Sequence, residues 1–435
     1  MDKLTDAEVD LLREDVNRSR VPGAYESGRW SVAPANRDPE VTGEMPGHIR
    51  LRDTSMRAIE SLPGVTAPHE AKLAFLRALA RSGVPEIVLG APGPSARDPH
   101  PGGRDPDAVR AELAVVRQEG PDALVHCPFT STLEGIDLAA DLGFDAVQVA
   151  MPAFGPASGI YRASIPASRA QIVAEAAALV RRGKDRGLRV AVPFTMVSFV
   201  SDEMLTETAK AISEAGADEI TLFDGPGGVG PEAYGRLVQT TLAAAPGVEV
   251  GIHPHNTFGL GVACAVAAAR AGASVVESSV NGYCGGPGNA DLAATAAAFE
   301  ALYGVHTGLR LAELTGLARA GAEVTGRVPA VNQPITGPDA FCWGGGDWVM
   351  VERAVDPLMH NSVEPGLFGN ERRVPLTAQS GPLVVAAALR RLGVDVDPSL
   401  VPVIVERCRA ELATRGSGLL TDEEFGAITR SVLTA

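Results

Sequence analysis

The segment VEVGIHPHNTFGLGVACAVAAARAGASVVESSV, Val248 to Val280, decides the fold, because it joins two short apolar runs through an alanine-rich stretch. Runs rich in Val and Ile predict buried strands, and the stretch between them has the composition of a helix. A strand, a helix and a second strand in this order predict two parallel strands joined by a helical crossover.

The same alternation recurs along most of the chain. Eight such runs are HIRLRDTS, PEIVLG, DALVHCPF, DAVQVAMP, LRVAVPFT, DEITLFDG, VEVGIHPH and ASVVESSV. Eight strand–helix units over roughly 250 residues predict a (β/α)8 TIM barrel. A doubly wound open sheet is the alternative, although no GxGxxG motif follows the first run.

Three regions follow from this pattern. Residues 1–45 form a polar N-terminal extension, residues 46–305 form the barrel, and residues 306–435 form a smaller, mostly helical C-terminal region. The chain has 435 residues, of which 45% are hydrophobic, and this is enough for a large core.

Charge and cysteine content narrow the classes of function. A net charge of −15 disfavours nucleic acid and anionic membranes as partners. No apolar run reaches the length of about 18 residues that a membrane span needs. The charged N-terminus lacks the apolar core of a signal peptide. Five widely spaced cysteines show no disulfide pattern, so we expect a cytoplasmic protein that acts on a small molecule.

Two histidines at the end of the seventh run are the first candidate site residues. His253 and His255 are two apart on a predicted strand, so their side chains point the same way. In a TIM barrel the C-terminal ends of the strands carry the active site. The glycine-rich loop after the eighth run carries Asn281 and Asn289, whose amides can approach the histidines. The pattern predicts a metal site, and the alternative is a pair of loop histidines without a metal.

At these residues the sequence resembles a known family. The segment GIHPHNTFGLGVACAVAAARAGASVVESSVNGYCGGPGNADL is similar to the HxHND and VNGIGERAGNA motifs of the isopropylmalate synthase/homocitrate synthase family. That family belongs to the metal-dependent superfamily that includes 3-hydroxy-3-methylglutaryl-CoA lyase. LPGVTAPHEAKLAFLRALARSGV, FDGPGGVGP and LFGNERRVPLTAQSGPLVVAAAL resemble further family segments, so the resemblance runs from about residue 49 to residue 430.

The resemblance implies a fold, a reaction and roles for particular residues. Its members are TIM-barrel homodimers in which a divalent metal binds a 2-oxo acid, and an acyl-CoA condenses with the ketone in a Claisen-type acyl transfer. His253, His255 and Asn289 match metal ligands of the family. Arg57 matches the arginine that polarises the ketone oxygen, an electrostatic role like that of an oxyanion hole.

Four positions depart from the family pattern. Ala58 takes the place of the aspartate that ligates the metal, and Thr195 that of a glutamate after the fifth strand. Gly225 replaces a threonine of the sixth-strand turn. Trp348 replaces a catalytic histidine. We expect Thr195 and Trp348 to line a changed substrate pocket.

Without a carboxylate, two imidazoles and an amide suit Mg²⁺ or Mn²⁺ poorly, because these hard cations prefer oxygen ligands. Either Asp53 takes over as the acid, or the site selects a cation such as Zn²⁺ or Fe²⁺. Asp53 also permits a second alignment, in which Leu51 to Asp53 is the family's Leu-Arg-Asp triplet. Asp224 and Glu277 are weaker candidates, and a site without metal is the remaining alternative.

Other residues are candidates for the altered chemistry. His126, taken as the end of the third strand, and Asp224, at the end of the sixth, are the candidate base and acid. By resemblance Tyr161 contacts substrate. Cys284 lies in the loop where the lyase branch has a reactive cysteine, and either an inert or a substrate-contacting role fits it. Asn281 is a further substrate-binding candidate.

Three functions remain open at this stage. The first is a condensing acyltransferase that joins an acyl-CoA, or another acyl donor, to a 2-oxo acid. The second is an aldol-type lyase or decarboxylase of specialised metabolism. The third is a non-catalytic relative that binds a small molecule, which Ala58 would explain most directly.

Overall fold

The computed structural model describes residues 5–92, 104–149, 168–344, 346–415 and 418–434. Its chain divides into two compact units. One unit contains Ala35–Pro329, and the other combines Met1–Pro34 with Ala330–Ala435. These boundaries differ from the sequence-based ones: residues 1–34 of the N-terminal extension group with the C-terminal region, whereas residues 35–45 and 306–329 group with the barrel.

Eight parallel strands close into a barrel in the unit Ala35–Pro329, and this confirms the predicted (β/α)8 fold. The strands, numbered here β1 to β8, are Arg50–Asp53, Glu86–Val88, Leu124–Thr130, Ala146–Val149, Arg189–Thr195, Glu219–Asp224, Glu249–Pro254 and Val275–Ser278. Each predicted run coincides with one of them, although β3 extends one residue beyond its run, to Thr130. β8 pairs in parallel with β1, in the register of Glu277 with Arg52, so the sheet has no free edge.

Helices surround the barrel. The outer layer, numbered α1 to α9, comprises His69–Arg81, Pro106–Glu119, Leu133–Leu142, Arg169–Asp185, Asp202–Glu214, Pro231–Ala244, Gly261–Arg270, Leu292–Ala297 and Leu314–Thr325. A short helix, Ser55–Ile59, follows β1 directly. The α7 helix packs through a face of small residues that includes Gly261, Ala265 and Ala268, and this lets its backbone approach the strands.

Charged side chains fill the middle of the barrel, where hydrophobic residues are more usual. Arg52 is completely buried there and its guanidinium contacts the carboxylates of Glu86, Glu219 and Glu277. A Cβ added to Gly251 would lie 2.6 Å from a carboxylate oxygen of Glu219, so glycine on β7 makes room for this network. The network fixes which side chains occupy the layer beneath the barrel mouth.

The second unit is mainly helical. Its helices are Asp6–Arg18, Asp347–Val355, Pro382–Arg391, Val401–Arg415 and Asp422–Leu433, and a two-stranded ribbon joins Tyr25–Glu26 to Trp30–Ser31. The last three helices share an apolar core that includes Val385, Ile404 and Phe425. Among the described residues, no helix combines the length and the apolar composition needed to cross a membrane.

Candidate metal and substrate site at the barrel mouth

The two predicted histidines lie at the C-terminal end of β7. His253 is fully buried near the end of the strand, and His255 follows it, partly exposed. Their ring centroids are 5.2 Å apart. The i, i+2 spacing therefore brings both imidazoles to one end of the barrel, as the pattern predicts.

A carboxylate fixes the orientation of His253. Its Nδ1 lies 2.7 Å from an Oε2 of Glu277 on β8, while its Nε2 is buried and has no hydrogen-bond partner. A carboxylate on one ring nitrogen is the arrangement that leaves the other nitrogen free for a metal. Burial alone would raise the pKa of Glu277, but His253, Arg52 and Arg57 lower it to about 2, so Glu277 accepts this bond as an anion.

Cys284 completes a group of three possible ligands. The Nε2 or Nδ1 atoms of the two histidines and the Cys284 Sγ all lie within 4.8 Å of one another. The Sγ is 3.5 Å from the Nε2 of His255. Burial by itself would raise the pKa of this thiol, but the imidazoles of His253 and His255 and the charge of Arg57 lower it to about 5. These residues fit a divalent cation that accepts nitrogen and sulfur ligands.

The predicted ligand Asn289 lies beside this group. It forms an isolated antiparallel bridge with His255, which ties the loop after β8 to the end of β7. Its amide oxygen accepts a hydrogen bond from Ser279, and its amide nitrogen donates to Thr54 at 3.3 Å. A role for the Asn289 side chain as a ligand stays a prediction.

Arg57 lies at the same mouth, as the ungapped alignment predicts. Its guanidinium carbon lies 4.7 Å from the centre of the Phe129 ring and 5.7 Å from that of Phe223. Phe223 in turn stacks on His253, with centroids 3.7 Å apart. Among the described residues, two buried guanidinium nitrogens of Arg57 have no hydrogen-bond partner, so they can donate to an oxygen of a bound molecule.

Asp53 is not part of the group formed by His253, His255 and Cys284, and its role in place of the missing carboxylate stays a prediction. It is fully buried at the end of β1, where its carboxylate accepts hydrogen bonds from the backbone N–H and the hydroxyl of Ser55, each at 2.8 Å. Burial raises the pKa of Asp53 to about 7, although these hydrogen bonds by themselves would lower it. Arg52 lies in the buried charge network, so the alternative Leu51–Asp53 alignment places its arginine beneath the mouth.

The structure corrects the placement of one acid–base candidate, His126, and confirms that of the other, Asp224, at the end of its strand. His126 is the third residue of the seven-residue strand β3, within the barrel, and its Nε2 lies 2.9 Å from the carboxylate of Glu86. Burial lowers its pKa. Asp224 ends β6 as predicted, but its carboxylate accepts the N–H of Val229 at 2.7 Å, and so it closes the turn that follows the strand. The other oxygen of Asp224, Oδ1, is buried and has no hydrogen-bond partner among the described residues. The roles of His126 and Asp224 as base and acid stay predictions.

The substrate-binding candidates have different outcomes. Thr195 is buried at the end of β5, where it pairs with Phe223 of β6. The amide of Asn281 donates to Ala318 on α9, so it attaches the loop after β8 to that helix. Trp348 lies in the second unit and is 43% exposed. Tyr161 lies outside the described residues.

Sequence reasoning did not identify the mutual arrangement of Glu277, Phe223 and Cys284. Glu277 was only a weak metal candidate, and the structure makes it the partner of His253. The sequence does offer a signal for Glu277, because side chains alternate along a strand and this alternation points Glu277 into the barrel. No sequence signal gives the path of the loop that brings Cys284 to His255.

Comparisons with known proteins match the barrel and most of the chain. A family model described as HMGL-like matches residues 48–320. A 2-phosphonomethylmalate synthase of Streptomyces rubellomurinus is 33% identical over 88% of this chain and 98% of its own length. A probable 2-isopropylmalate synthase of Ignicoccus hospitalis is 30% identical over 89% of this chain and 93% of its own.

A solved structure shows the same fold. It is an HMG-CoA lyase from Acinetobacter baumannii in complex with coenzyme A and 3-methylmalate. The match has a TM-score of 0.57 and 19% sequence identity, and it covers 66% of this chain and 94% of the lyase chain. At this identity the likeness supports the fold alone.

Proposed function

The chain belongs to the HMGL-like family, and from that premise we propose that it is a condensing acyltransferase that joins an acyl-CoA to a 2-oxo acid. The curated relatives that match most of its length are synthases of this general kind. The observation that carries the proposal is the position of Arg57, whose guanidinium lies over the Phe223 ring that also stacks on His253, with two buried nitrogens that have no partner among the described residues.

In the proposed reaction the α-carbon of the acyl thioester loses a proton and forms a bond to the ketone carbon of the oxo acid. The ketone oxygen gains negative charge and ends as a hydroxyl, and hydrolysis of the thioester releases the CoA thiol. Arg57 stabilises the charge on that oxygen, because two of its guanidinium nitrogens are buried and have no partner among the described residues.

The residues around the mouth prepare a metal site. Glu277 holds His253 by Nδ1 and so directs its Nε2 outward as a ligand, with His255 and Cys284 nearby. The chemistry that a bound divalent cation supplies is Lewis-acid polarisation of the carbonyl oxygen. Phe223 stacks on His253 and prevents rotation of its ring. Thr195 at the end of β5 is positioned to contact the oxo acid.

The test is a thiol-release assay with the metal-loaded protein, acetyl-CoA and a panel of 2-oxo acids, with products identified by mass spectrometry. Arg57→Ala should lower kcat by about 10²–10³-fold, as removal of an oxyanion-hole donor does. Arg81→Ala, an exposed arginine of α1, is the matched control and should keep the activity. Wild-type protein that holds metal but releases no thiol with any oxo acid would contradict the proposal.

Carbon–carbon cleavage is the second candidate. The departures at Thr195 and Gly225 favour it, because both alter positions where the condensing relatives hold the oxo acid by resemblance. The same Arg57 would stabilise an alkoxide during cleavage. Incubation with 3-hydroxyacyl-CoA thioesters, followed by analysis for free acyl-CoA and carbonyl products, separates the two directions.

A further inference from the structure

Three side chains that can bind a metal converge at the end of β7. Among the residues the structure describes, His253, His255 and Cys284 form the group whose ligand atoms lie within 4.8 Å of one another. His253 is fully buried and its Nε2 lacks a partner. A buried, unpartnered imidazole nitrogen next to a thiol is costly unless a ligand occupies the space between them.

We propose that Cys284 is a metal ligand of this chain and that, with His253 and His255, it makes the site selective for Zn²⁺ and similar thiolate-accepting cations over Mg²⁺. The thiolate supplies the negative charge that Ala58, at the carboxylate position of the resemblance, does not. On binding, the thiol loses its proton to solvent and its sulfur forms a bond to the cation.

The distances agree with a tetrahedral ion. Bonds of about 2.3 Å to sulfur and about 2.1 Å to nitrogen at tetrahedral angles hold S and N roughly 3.6 Å apart. The observed separation of Cys284 Sγ and His255 Nε2 is 3.5 Å. The third ligand atom, on His253, lies within 4.8 Å of both other atoms.

The backbone of the loop after β8 holds Cys284 in this place. The N–H of Asn289 donates to the carbonyl of Gly282 at 3.2 Å, which closes the loop around the cysteine. The N–H of Asn256 donates to the carbonyl of Gly288 at 2.8 Å, so the loop is also tied to the segment that follows β7. Backbone hydrogen bonds of the loop therefore present the cysteine to the histidines.

A second explanation is a hydrogen-bonded thiol–imidazole pair without metal. In that case His253 would have no part in the group, and loss of Cys284 would not change metal affinity. The soft sulfur ligand gives an optical signal that separates the two explanations, because Co²⁺ bound to thiolate shows an intense sulfur-to-metal charge-transfer absorption.

The experiment titrates the metal-free full-length protein with Co²⁺ and follows its absorption, and then measures Zn²⁺ and Mg²⁺ affinity by equilibrium dialysis. Wild-type protein should bind one Co²⁺ per chain with the charge-transfer band and should prefer Zn²⁺ to Mg²⁺. Cys284→Ser should lose the band and bind Zn²⁺ more weakly by at least about 10-fold, since even the outer partners of a ligand contribute that much. Cys342→Ser, a partly exposed cysteine of the other unit, is the matched control and should behave as wild type.

Two results would overturn the inference. One is the absence of the charge-transfer band from wild-type protein that has bound Co²⁺. This result does not depend on the folding of any variant. The other is Zn²⁺ affinity of Cys284→Ser equal to that of Cys342→Ser, with circular dichroism showing that both are folded. The inference does not rest on the proposed acyl transfer: protein that binds Co²⁺ through sulfur but releases no CoA thiol contradicts the proposed function alone.

Discussion

Replacement of Arg52 by methionine tests the buried charge network at the centre of the barrel. The guanidinium makes four N–H···O contacts, to Glu86 at 2.6 Å, to Glu219 at 2.9 and 2.5 Å, and to Glu277 at 3.3 Å. At about 1.5–3 kcal/mol for each charged hydrogen bond, a simple sum would exceed 6 kcal/mol. Methionine also removes the desolvation cost of the guanidinium, so we expect a loss of about 3–5 kcal/mol in the free energy of unfolding, as for other broken buried pairs.

The loss should depend on pH. In the wild-type protein Arg52 helps to hold the pKa of Glu86 and of Glu277 below the usual range, against burial. Without Arg52, burial raises both pKa values in the folded state. A carboxyl whose folded pKa is raised costs stability at high pH, and this cost disappears as protonation occurs below the raised pKa. The deficit of the variant should therefore be smaller at pH 5.5 than at pH 7.5.

Urea denaturation followed by circular dichroism at both pH values measures these free energies. Arg182→Met is the matched control, because its pair with Asp137 is half exposed and should contribute less than about 1 kcal/mol. A loss below about 1 kcal/mol for Arg52→Met, or an equal loss at both pH values, would refute the reasoning that the network is a mutually dependent set of charges.

Three further predictions concern the loop after β8, the cysteines and the assembly. In metal-free native protein, iodoacetamide at pH 6 should label Cys284, because its pKa is about 5. It should spare the buried Cys127, because burial raises the pKa of that thiol to about 12. Peptide mass spectrometry that shows Cys127 labelled before Cys284 would contradict this prediction. Gly288→Ala should disrupt the loop and abolish metal binding, because its Cβ would lie 1.8 Å from the carbonyl of Gly282. Gly286→Ala, which also has a positive φ but nothing within 4 Å of its Cβ, should cost only about 1–2 kcal/mol and keep the metal in dialysis. We also expect the homodimer that the family resemblance implies, and light scattering that gives a monomer mass at micromolar concentration would count against it.

The fold was predictable because its signal is repeated. Each of the eight apolar runs carries the β-branched residues of a buried strand, and the helical stretches between them permit only parallel pairing. The position of His253 and His255 also follows from the strand period. His126 was misplaced because the end of a strand cannot be read to within a few residues: the run DALVHCPF continues as strand to Thr130, and this leaves the histidine inside the barrel.

The chemistry of the mouth was less predictable, because it depends on contacts between distant segments. Asp224 ends its strand as expected, yet one of its carboxylate oxygens accepts a hydrogen bond from the backbone of Val229 and so closes the turn. Asn281 lies in the predicted loop, yet its amide is bound to α9. Cys284 reaches His255 through a loop whose path depends on glycine conformations and on hydrogen bonds to the segment after β7.

The shared position of Glu277 constrains how this barrel can diverge. One oxygen of its carboxylate meets His253 while the other meets Arg52 and Gln148. A mutation of Glu277 that changes its contact with His253 therefore also changes its contact with Arg52. In the same way, a mutation that disturbs the buried charges around Arg52 also disturbs His253. Changes of substrate are consequently easier to accumulate in the loops beyond the strands than on the strands themselves, and laboratory evolution of this scaffold should begin at the loops.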